Sequence, residues 1–164
     1  MNPESDAARL RALMRKLCAM PPVAAMAPTA LSLDPHTQVL RLHAPLDANM
    51  NDKGCAFGGS MNALMTLAAW ARLTHLLECA GHAAEVYVQD STIRYLQPLY
   101  GELVAEAWLD PGHDAGALVA AFAARGRARA RLMARMRTGA GSEVATFEGR
   151  FVAKRPEAPP PGDD

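Results

Sequence analysis

The stretch from Ser60 to Cys79 places the strongest constraint on the fold, because it has helical length and is apolar on nearly every side. Gly58-Gly59 precede it and Gly81 follows it, as expected at the two ends of a helix. Its most apolar part, Met61 to Leu77, is close to the minimum length of a membrane span, but Arg72 and other polar residues interrupt it. We therefore expect no membrane span and a helix that the rest of the fold encloses.

Shorter segments on both sides of this helix alternate as strands do, and turn residues separate them. We expect the two strands before the long helix to form one hairpin and the two strands after it to form a second. The alternation in the first strand after the helix slips near Asp90-Ser91, which predicts a β-bulge there. The predicted order is a helix capped at Ser5 or Asp6 and ended by Pro21-Pro22, strands over Thr29–Leu33 and Gln38–Leu46, the long helix, strands over Glu85–Gln97 and Glu102–Leu109, a short helix capped by Asp114 and ended by Gly126, and strands over Arg127–Arg137 and Glu143–Ala153.

This order predicts an α+β fold with one mostly antiparallel sheet. To bury every side of the long central helix, the sheet must curl around it, which is the hotdog arrangement. We expect a single domain over residues 1–155. The segment Pro156–Asp164, rich in proline and acidic residues, is expected to be a disordered tail.

Charge and cysteine content narrow the partners and the location. Lys and Arg number 17 and Asp and Glu number 17, which argues against a protein that binds nucleic acid by neutralising phosphates. Three widely spaced cysteines indicate neither a disulfide framework nor a zinc site and fit a reducing compartment. Residues 1–6 do not resemble a secretory signal, so the cytoplasm is the expected location. The histidines have no metal-ligand spacing such as H-E-x-x-H, so no metal is expected.

The segment from Asn49 to Ser60 is the most informative stretch for function. Its Gly58-Gly59 step, at the mouth of a buried helix, exposes backbone N–H groups at the positive end of the helix dipole. Glycine lets a ligand approach the backbone closely. We therefore expect these donors to hold a carbonyl oxygen and to stabilise an oxyanion or enolate that develops on a thioester.

Two runs, from Asn51 to Ser60 and from Asp90 to Pro98, together with the order of elements, resemble a thioesterase-like domain of the hotdog superfamily that also occurs fused behind an acetyltransferase domain. The resemblance covers about Leu10 to Lys154. Some members of this family are malonyl-ACP decarboxylases that supply acetyl groups for fatty-acid synthesis, and many others are described only as thioesterases. The resemblance implies a homodimer or dimer of dimers with the active site between protomers. It implies no metal or redox cofactor, since the pantetheine arm of ACP or CoA enters with the substrate.

A departure from the wider hotdog thioesterases concerns the catalytic base. Enzymes of the phenylacetyl-CoA type have an Asn, a Gly three residues on, a His-Gly-Gly, and an Asp nine residues after the His. Asn51, Gly54 and Gly58-Gly59 match this pattern, but Phe57 replaces the His and Thr66 replaces the Asp. Because thioester hydrolysis needs a general base or a nucleophile, the usual hydrolytic group is missing from its usual place.

Decarboxylation of a malonyl thioester needs no base, only a poorly solvated carboxylate out of the carbonyl plane and donors for the resulting enolate. By the resemblance, Asn51 orients the thioester carbonyl, an amide near Gly59 holds the enolate oxygen, and Thr66 hydrogen-bonds the substrate. Phe57 is expected to desolvate the carboxylate. The expected substrate contacts are Phe57, Gly58, Ser60, Asp90 and Tyr95.

Several of these residues have an alternative role in the structure. Asn51 equally fits a side chain that stabilises its own turn, and Thr66 fits a threonine bonded back to its own helix. Tyr95 fits a core or interface aromatic residue. Asp52 and Asp90 are the alternative bases for hydrolysis, although Asp52 also fits a solvent-exposed or capping residue.

Asp90 and the arginines of one predicted strand also have alternative roles. Asp90 equally fits an ion pair with Arg94 or Arg72. Arginines at alternate positions give the strand from Arg127 to Arg137 one basic face, which is either solvated or attracts an acidic carrier protein or the phosphates of CoA. The expected contacts with carrier protein or phosphate are Arg127, Arg129 and Arg131.

The sequence thus predicts an enzyme that processes an acyl thioester, with decarboxylation of malonyl-ACP to acetyl-ACP as the preferred reaction. The first alternative is a thioesterase that hydrolyses acyl-CoA or acyl-ACP. The second is a non-catalytic protein that binds acyl thioesters or an acyl carrier protein.

Overall fold

The computed structural model describes residues 3–157, in which a six-stranded antiparallel sheet curls around one long helix. This confirms the α+β hotdog architecture predicted from the sequence. The helices are α1 (Pro3–Cys18), α2 (Pro21–Ala25), α3 (Gly58–Cys79) and α4 (Ala115–Arg125), with a 3-10 turn at Asp47–Asn49. The strands are β1 (Ala30–Leu33), β2 (Leu40–Ala44), β3 (Glu85–Tyr95), β4 (Leu103–Leu109), β5 (Arg127–Arg137) and β6 (Glu143–Lys154).

The central helix α3 begins and ends close to its predicted bounds. Its apolar side chains, among them Leu64, Met65 and Leu73, are buried in one core with the inner face of the sheet. One strip of α3 stays only half-buried, and it consists of Asn62, Ala63, Thr66, Leu67 and Trp70. Within residues 3–157, no helix combines the length and the apolar character that a membrane span requires.

The strands are ordered β1-β2-β4-β5-β6-β3. The first predicted hairpin, β1 with β2, is confirmed, and β5 pairs with β6. The second predicted hairpin is wrong, because β3 pairs with β6 while β4 lies between β2 and β5. Burial explains the difference. The inner face of β4 is buried, and its outer face is covered at Glu106, which is 5% exposed, so this strand suits a central place, whereas most of β3 is exposed and suits an edge.

The β-bulge in β3 occurs one residue before the predicted place, at Gln89, between Val88 and Asp90 in the pairing register. Val88 lies opposite the buried Phe151, and Asp90 lies opposite the exposed Arg150. The bulge therefore turns Asp90 to the outer face of the sheet, away from α3.

The ends of α4 follow their sequence signals, but the start of α1 does not. Helix α1 begins at Pro3, so Ser5 and Asp6, the two predicted capping residues, lie inside its first turn. The Ala117 N–H donates to Asp114 Oδ1 at 2.6 Å, and Gly126 ends α4 with a φ of 65°, so both predicted ends of this helix are confirmed. Helix α2 was not predicted. The prolines at 21 and 22 end α1, as expected, but they also begin α2, because proline is tolerated in the first helical turn. Most of the tail predicted over Pro156–Asp164 lies outside the described residues, which end at Glu157.

A buried carboxylate organises the outer face of the sheet where β2, β4 and β5 meet. Glu106 accepts hydrogen bonds from Arg41 Nε at 3.0 Å, Arg135 Nε at 2.9 Å and Arg137 Nη2 at 2.9 Å. Burial favours the neutral acid, but the bonds from the three arginines outweigh it and hold the pKa of Glu106 below its ordinary value of 4.5. Two of the five arginines on the predicted basic face of β5 are thus bound to this carboxylate.

Candidate functional site

The loop before α3 is fixed by backbone hydrogen bonds at both of its ends. The Phe57 N–H donates to Asn49 O at 2.7 Å, and the Ala56 N–H donates to Leu99 O at 2.8 Å. Gly54 has a φ of 74°, a left-handed conformation that favours glycine at this turn. The second bond ties the loop to the connection between β3 and β4, so the mouth of α3 has a defined position against the end of β3.

Asn51 uses its side chain inside this loop. Its Oδ1 accepts the Lys53 N–H at 2.8 Å and the Cys55 N–H at 3.3 Å, and its Nδ2 lies 3.2 Å from Cys55 Sγ. This is the local side-chain to backbone bonding by which asparagine stabilises turns. Nδ2 has two N–H bonds, and its contact with the Cys55 sulfur, a weak acceptor, uses one of them, so the second can donate to a substrate carbonyl.

The first turn of α3 presents three backbone donors. Among the residues that the structure describes, the N–H groups of Gly58, Gly59 and Ser60 have no acceptor, and Phe57 supplies no side-chain cap. The first bonded amide is that of Met61, which donates to Phe57 O at 3.0 Å. Free donors at the positive end of a 22-residue helix are suited to bind an oxyanion.

Two aromatic rings cover this turn and explain why it contains two glycines. A Cβ on Gly59 would lie 2.3 Å from Phe57 Cε1, and a Cβ on Gly58 would lie 3.2 Å from the Tyr95 ring. The Tyr95 hydroxyl donates to Gly58 O at 2.8 Å. Both rings are about half exposed, at 54% for Phe57 and 53% for Tyr95, so Tyr95 is not a core residue of this chain. The structure thus brings together four of the predicted site residues, Phe57, Gly58, Gly59 and Tyr95, and the two aromatic rings form an apolar rim around the free amides.

Thr66 lies on the same face of α3 as Gly59, seven residues or about 10 Å further along the helix. Its hydroxyl donates to Asn62 O at 2.9 Å, which is the bond back to its own helix that the sequence left as an alternative. The hydroxyl oxygen retains its acceptor capacity, and its proton becomes available to a substrate only when the bond to Asn62 breaks.

Asn62 is a candidate site residue that the sequence reasoning missed. Its Oδ1 is buried and has no hydrogen-bond partner among the described residues. It lies on the half-buried strip of α3, between Gly59 and Thr66. The available signal was a lone amide within an apolar helix, four residues before the threonine already singled out.

The two carboxylates expected as alternative bases are both engaged in exposed ion pairs. Asp52 Oδ1 lies 2.8 Å from Lys53 Nζ. Asp90 Oδ1 accepts from Arg150 Nε at 2.8 Å, and this arginine holds the pKa of Asp90 below its ordinary range. Arg150, rather than the expected Arg94 or Arg72, is therefore the partner of Asp90. The structure does not bring Asp90 to the N-terminus of α3.

The rest of the basic face of β5 contains both paired and unpaired arginines. Arg131 is bound to Asp110, with Nε 3.3 Å from Oδ2, and to Glu148. Within residues 3–157, four cations on or beside this face have no carboxylate partner, and they surround two surface depressions of about 550 and 360 Å³. They are Arg125, Arg127, Arg129 and Lys154, and we name them the cationic patch.

Comparisons with known proteins agree with this architecture. Residues 18–155 match the model of the family described as "Putative thioesterase (yiiD_Cterm)". A protein of unknown function from Chlorobaculum tepidum has a similar structure, with a TM-score of 0.81 and 24% identity over 89% of this chain and 94% of that chain. A "putative thioesterase" from Shewanella oneidensis has a TM-score of 0.79 and 24% identity over 92% of this chain and 99% of that chain. A thioesterase from Haemophilus influenzae has a TM-score of 0.65 and 16% identity over 87% of this chain and 88% of that chain. A search of curated proteins found no match.

At these identities the solved structures establish a shared fold, and the family model covers most of the chain. The family resemblance inferred from the runs at Asn51 to Ser60 and Asp90 to Pro98 is therefore confirmed. The description of this family supports acyl-thioester processing as the class of activity. The protein has the hotdog fold and belongs to the "Putative thioesterase (yiiD_Cterm)" family.

Proposed function

We propose that this protein decarboxylates malonyl-ACP to acetyl-ACP at the N-terminal turn of α3 and so supplies acetyl groups for the initiation of fatty-acid synthesis. The observation that carries the proposal is the position of the carboxylates. Asp52 and Asp90 are held in exposed ion pairs, and α3 contains no carboxylate before Glu78. A turn that has free amide donors, and no unpaired carboxylate among residues 50–77, suits a reaction that needs no base.

The proposed reaction breaks the bond between the malonyl carboxylate and C2. Its electron pair passes into the thioester enolate while CO2 leaves, and C2 then takes a proton from water to give the acetyl thioester. The free amides of Gly59 and Ser60 stabilise the negative enolate oxygen. Phe57 and Tyr95 keep water from the departing carboxylate, which favours its conversion to neutral CO2. The pantetheine arm arrives with the substrate, and the step requires no metal or redox cofactor.

All three cysteines are free in the structure, which agrees with the reducing cytoplasm where we propose that the reaction takes place.

The decisive experiment is incubation with malonyl-ACP, followed by intact mass spectrometry of the carrier protein. Loss of the mass of CO2, giving acetyl-ACP, would support the proposal. Free holo-ACP would identify a thioesterase instead, and saturable binding without turnover would identify a non-catalytic binding protein.

Hydrolysis is the second candidate function, and the thioesterase description of the family favours it. In that case the activated water needs a base, which must come from Asp52, from Asp90 after release from Arg150, or from a partner subunit. Decarboxylation and hydrolysis therefore depend on different residues.

Substitutions at these residues separate the two reactions. For decarboxylation, we expect Asn51→Ala and Thr66→Val each to lower the rate of CO2 release by about 100-fold, because the first removes the donor proposed for the thioester carbonyl and the second removes a hydrogen bond to the substrate. Asp52→Asn and Asp90→Asn should retain most of the rate, and Thr66→Ser, which keeps the hydroxyl, should retain more than Thr66→Val. Release of labelled CO2 measures all five variants. The opposite pattern, with one indispensable carboxylate, would assign the protein to hydrolysis.

We also propose that the protein forms a homodimer, or a dimer of dimers, through β3. This strand is an eleven-residue edge with one side unpaired, and it exposes Tyr87, Val88 and Tyr95. A long unpaired edge strand with exposed aromatic and aliphatic side chains is a template for pairing with another chain. The half-buried strip of α3 lies nearby, since Trp70 Nε1 donates to Val86 O at 3.0 Å.

Sedimentation velocity tests the dimer. We expect the native chain to sediment as a dimer or larger assembly, and we expect Val88→Lys to shift it towards the monomer by placing a charge in the paired edge. Tyr100→Lys is the matched control, because Tyr100 is 69% exposed and lies outside β3. A native chain that sediments as a monomer would rule out the proposed dimer.

The cationic patch is our proposed contact for the acidic surface of the carrier protein or for CoA phosphates. We expect Arg129→Glu to raise KM for malonyl-ACP about tenfold, because it replaces an attraction with a repulsion. Added salt should raise the KM of the native protein more than that of the variant. Arg131→Gln is the control, since Arg131 is already bound to Asp110 and Glu148. Equal kinetics for Arg129→Glu and the native protein would refute this assignment.

A further inference from the structure

Three side chains of types that bind transition metals meet where α1 contacts the C-terminal half of α3. Asp6 comes from α1, while His75 and Cys79 lie one turn apart on α3. Cys79 Sγ lies 3.5 Å from Asp6 Oδ1 and 3.5 Å from His75 Nε2, and His75 Nε2 lies 3.9 Å from Asp6 Oδ1. We propose that Asp6, His75 and Cys79 form a Zn²⁺ site.

The spacing of the three donor atoms is that of one face of a zinc tetrahedron. An ion above the plane of a triangle with sides of 3.5, 3.5 and 3.9 Å, at the height that gives tetrahedral angles, lies about 2.2 Å from each corner, and Zn²⁺ binds N, O and S at about 2.0 to 2.3 Å. The set of one imidazole, one thiolate and one carboxylate also matches the ligands that zinc prefers. A fourth position remains for water or for an exchangeable ligand.

Burial acts on both ligands of α3. It lowers the pKa of His75, which favours the neutral imidazole that binds a metal. Burial, together with the Asp6 carboxylate, raises the pKa of Cys79. Because a cysteine binds zinc as the thiolate, formation of the bond between sulfur and zinc releases the proton of the thiol. Arg72 and Arg9 oppose a cation here, and Asp6 and Glu78 favour it.

Zn²⁺ can reach the three side chains from one side, and its binding requires a change in their orientation. His75 is 2% exposed, whereas Asp6 and Cys79 are partly exposed, so the ion enters from the side of α1. Cys79 Sγ lies 3.6 Å from His75 Nδ1 and 3.5 Å from Nε2, so the sulfur sits over the ring. Directing the Nε2 lone pair and the sulfur at one ion takes a side-chain rotation.

This site is separate from the proposed acyl-thioester site. His75 follows Gly58 by seventeen residues, which is about 25 Å along α3. The ion would join α1 to α3 and stabilise the folded state by binding it in preference to the unfolded chain. Occupancy therefore affects thermal stability and does not require an acyl substrate for its detection.

The test is titration of the chelator-treated full chain with Zn²⁺ against a chromophoric chelator, with Tm and proton release measured in parallel. We expect one ion per chain, release of about one proton and a rise in Tm. His75→Gln and Cys79→Ser should each weaken binding at least tenfold. Cys18→Ser should leave it unchanged, since Cys18 is an exposed cysteine of α1 outside the cluster.

Two further measurements keep the test independent of folding. Asp6→Asn changes a partly exposed ligand and should weaken Zn²⁺ binding while preserving the circular dichroism of the metal-free protein. Co²⁺ should give a thiolate charge-transfer band that disappears in Cys79→Ser. Stoichiometric binding that survives Cys79→Ser, or a native protein that takes up no Zn²⁺ in competition with the chelator, would overturn the proposal.

Discussion

Replacing Glu106 by glutamine is expected to lower the free energy of unfolding by about 3 kcal/mol, because it leaves three arginines around a buried site without their counter-charge. Arg41, Arg135 and Arg137 converge on this carboxylate from two neighbouring strands. Urea unfolding at pH 7 measures the loss. Arg129→Gln is the matched control, since it removes a cation of β5 that has no carboxylate partner in the described part of the chain, and we expect a change within about 0.5 kcal/mol.

The same substitution should change how stability depends on pH. Because the folded-state pKa of Glu106 is lowered, its contribution is fully present above the ordinary value of 4.5 and is lost as the pH falls below 4.5 towards the folded-state pKa. The stability difference between the native protein and Glu106→Gln should therefore be constant near neutral pH and narrow in acid. If the difference in unfolding free energy between the two proteins stays constant down to acidic pH, or if Glu106→Gln is as stable as the native protein at pH 7, the charge of Glu106 does not stabilise this face.

Replacing Gly59 by alanine is expected to reduce turnover of the acyl thioester about 100-fold. The added Cβ would lie 2.3 Å from Phe57 Cε1, so the ring must move from its place over the free amides of α3. The alanine keeps its backbone N–H, so the expected loss comes from the displaced ring and the substrate that it positions, and a misplacement of about 1 Å can cost about 100-fold in rate. The rate of product formation from malonyl-ACP, followed by intact mass spectrometry, measures the effect.

Two variants test whether this effect comes from the contact with Phe57. Gly101→Ala is the control for the substitution itself, since a Cβ on Gly101 meets nothing within 4 Å. The double variant Phe57→Ala with Gly59→Ala removes the clash and should recover part of the rate lost by Gly59→Ala alone. Full activity of Gly59→Ala would remove the turn from the proposed mechanism, and a double variant no better than the single would exclude the displaced ring as the cause.

Local signals in the sequence were sufficient to predict most elements of this fold. The all-round apolar character of α3, the cap at Asp114 and the alternation in β5 each depend on neighbouring residues, and each prediction is confirmed. The pairing of β3 depends instead on distant residues. Ile93 and Val88 lie opposite Phe147 and Phe151 of β6, and the nearer strand β4 is occupied on both sides. Periodicity within a strand does not encode that choice.

In the candidate site, too, the placement of residues close in sequence was predicted better than features that depend on distant contacts. The residues next to one another in the loop and first turn, with Tyr95, come together as predicted. Asp90 does not join them, because the bulge at Gln89 reverses the face on which it lies. Asn62 was missed because its sequence signal, a lone amide in an apolar helix, does not reveal that its Oδ1 is buried without a hydrogen-bond partner among the described residues. The cluster of Asp6, His75 and Cys79 was missed because only two of its members are close in sequence.

The pairing of β3 with β6 also determines when the chain can complete its sheet during synthesis. A ribosome makes β3 well before β6, and β4, α4 and β5 emerge between them. Until β6 appears, both edges of β3 lack a partner within the chain, and Tyr87, Val88 and Tyr95 remain open to other nascent chains. Contacts between segments so far apart also slow folding, because a long loop must close before they form. The last strand therefore governs both the yield of folded protein and its tendency to aggregate.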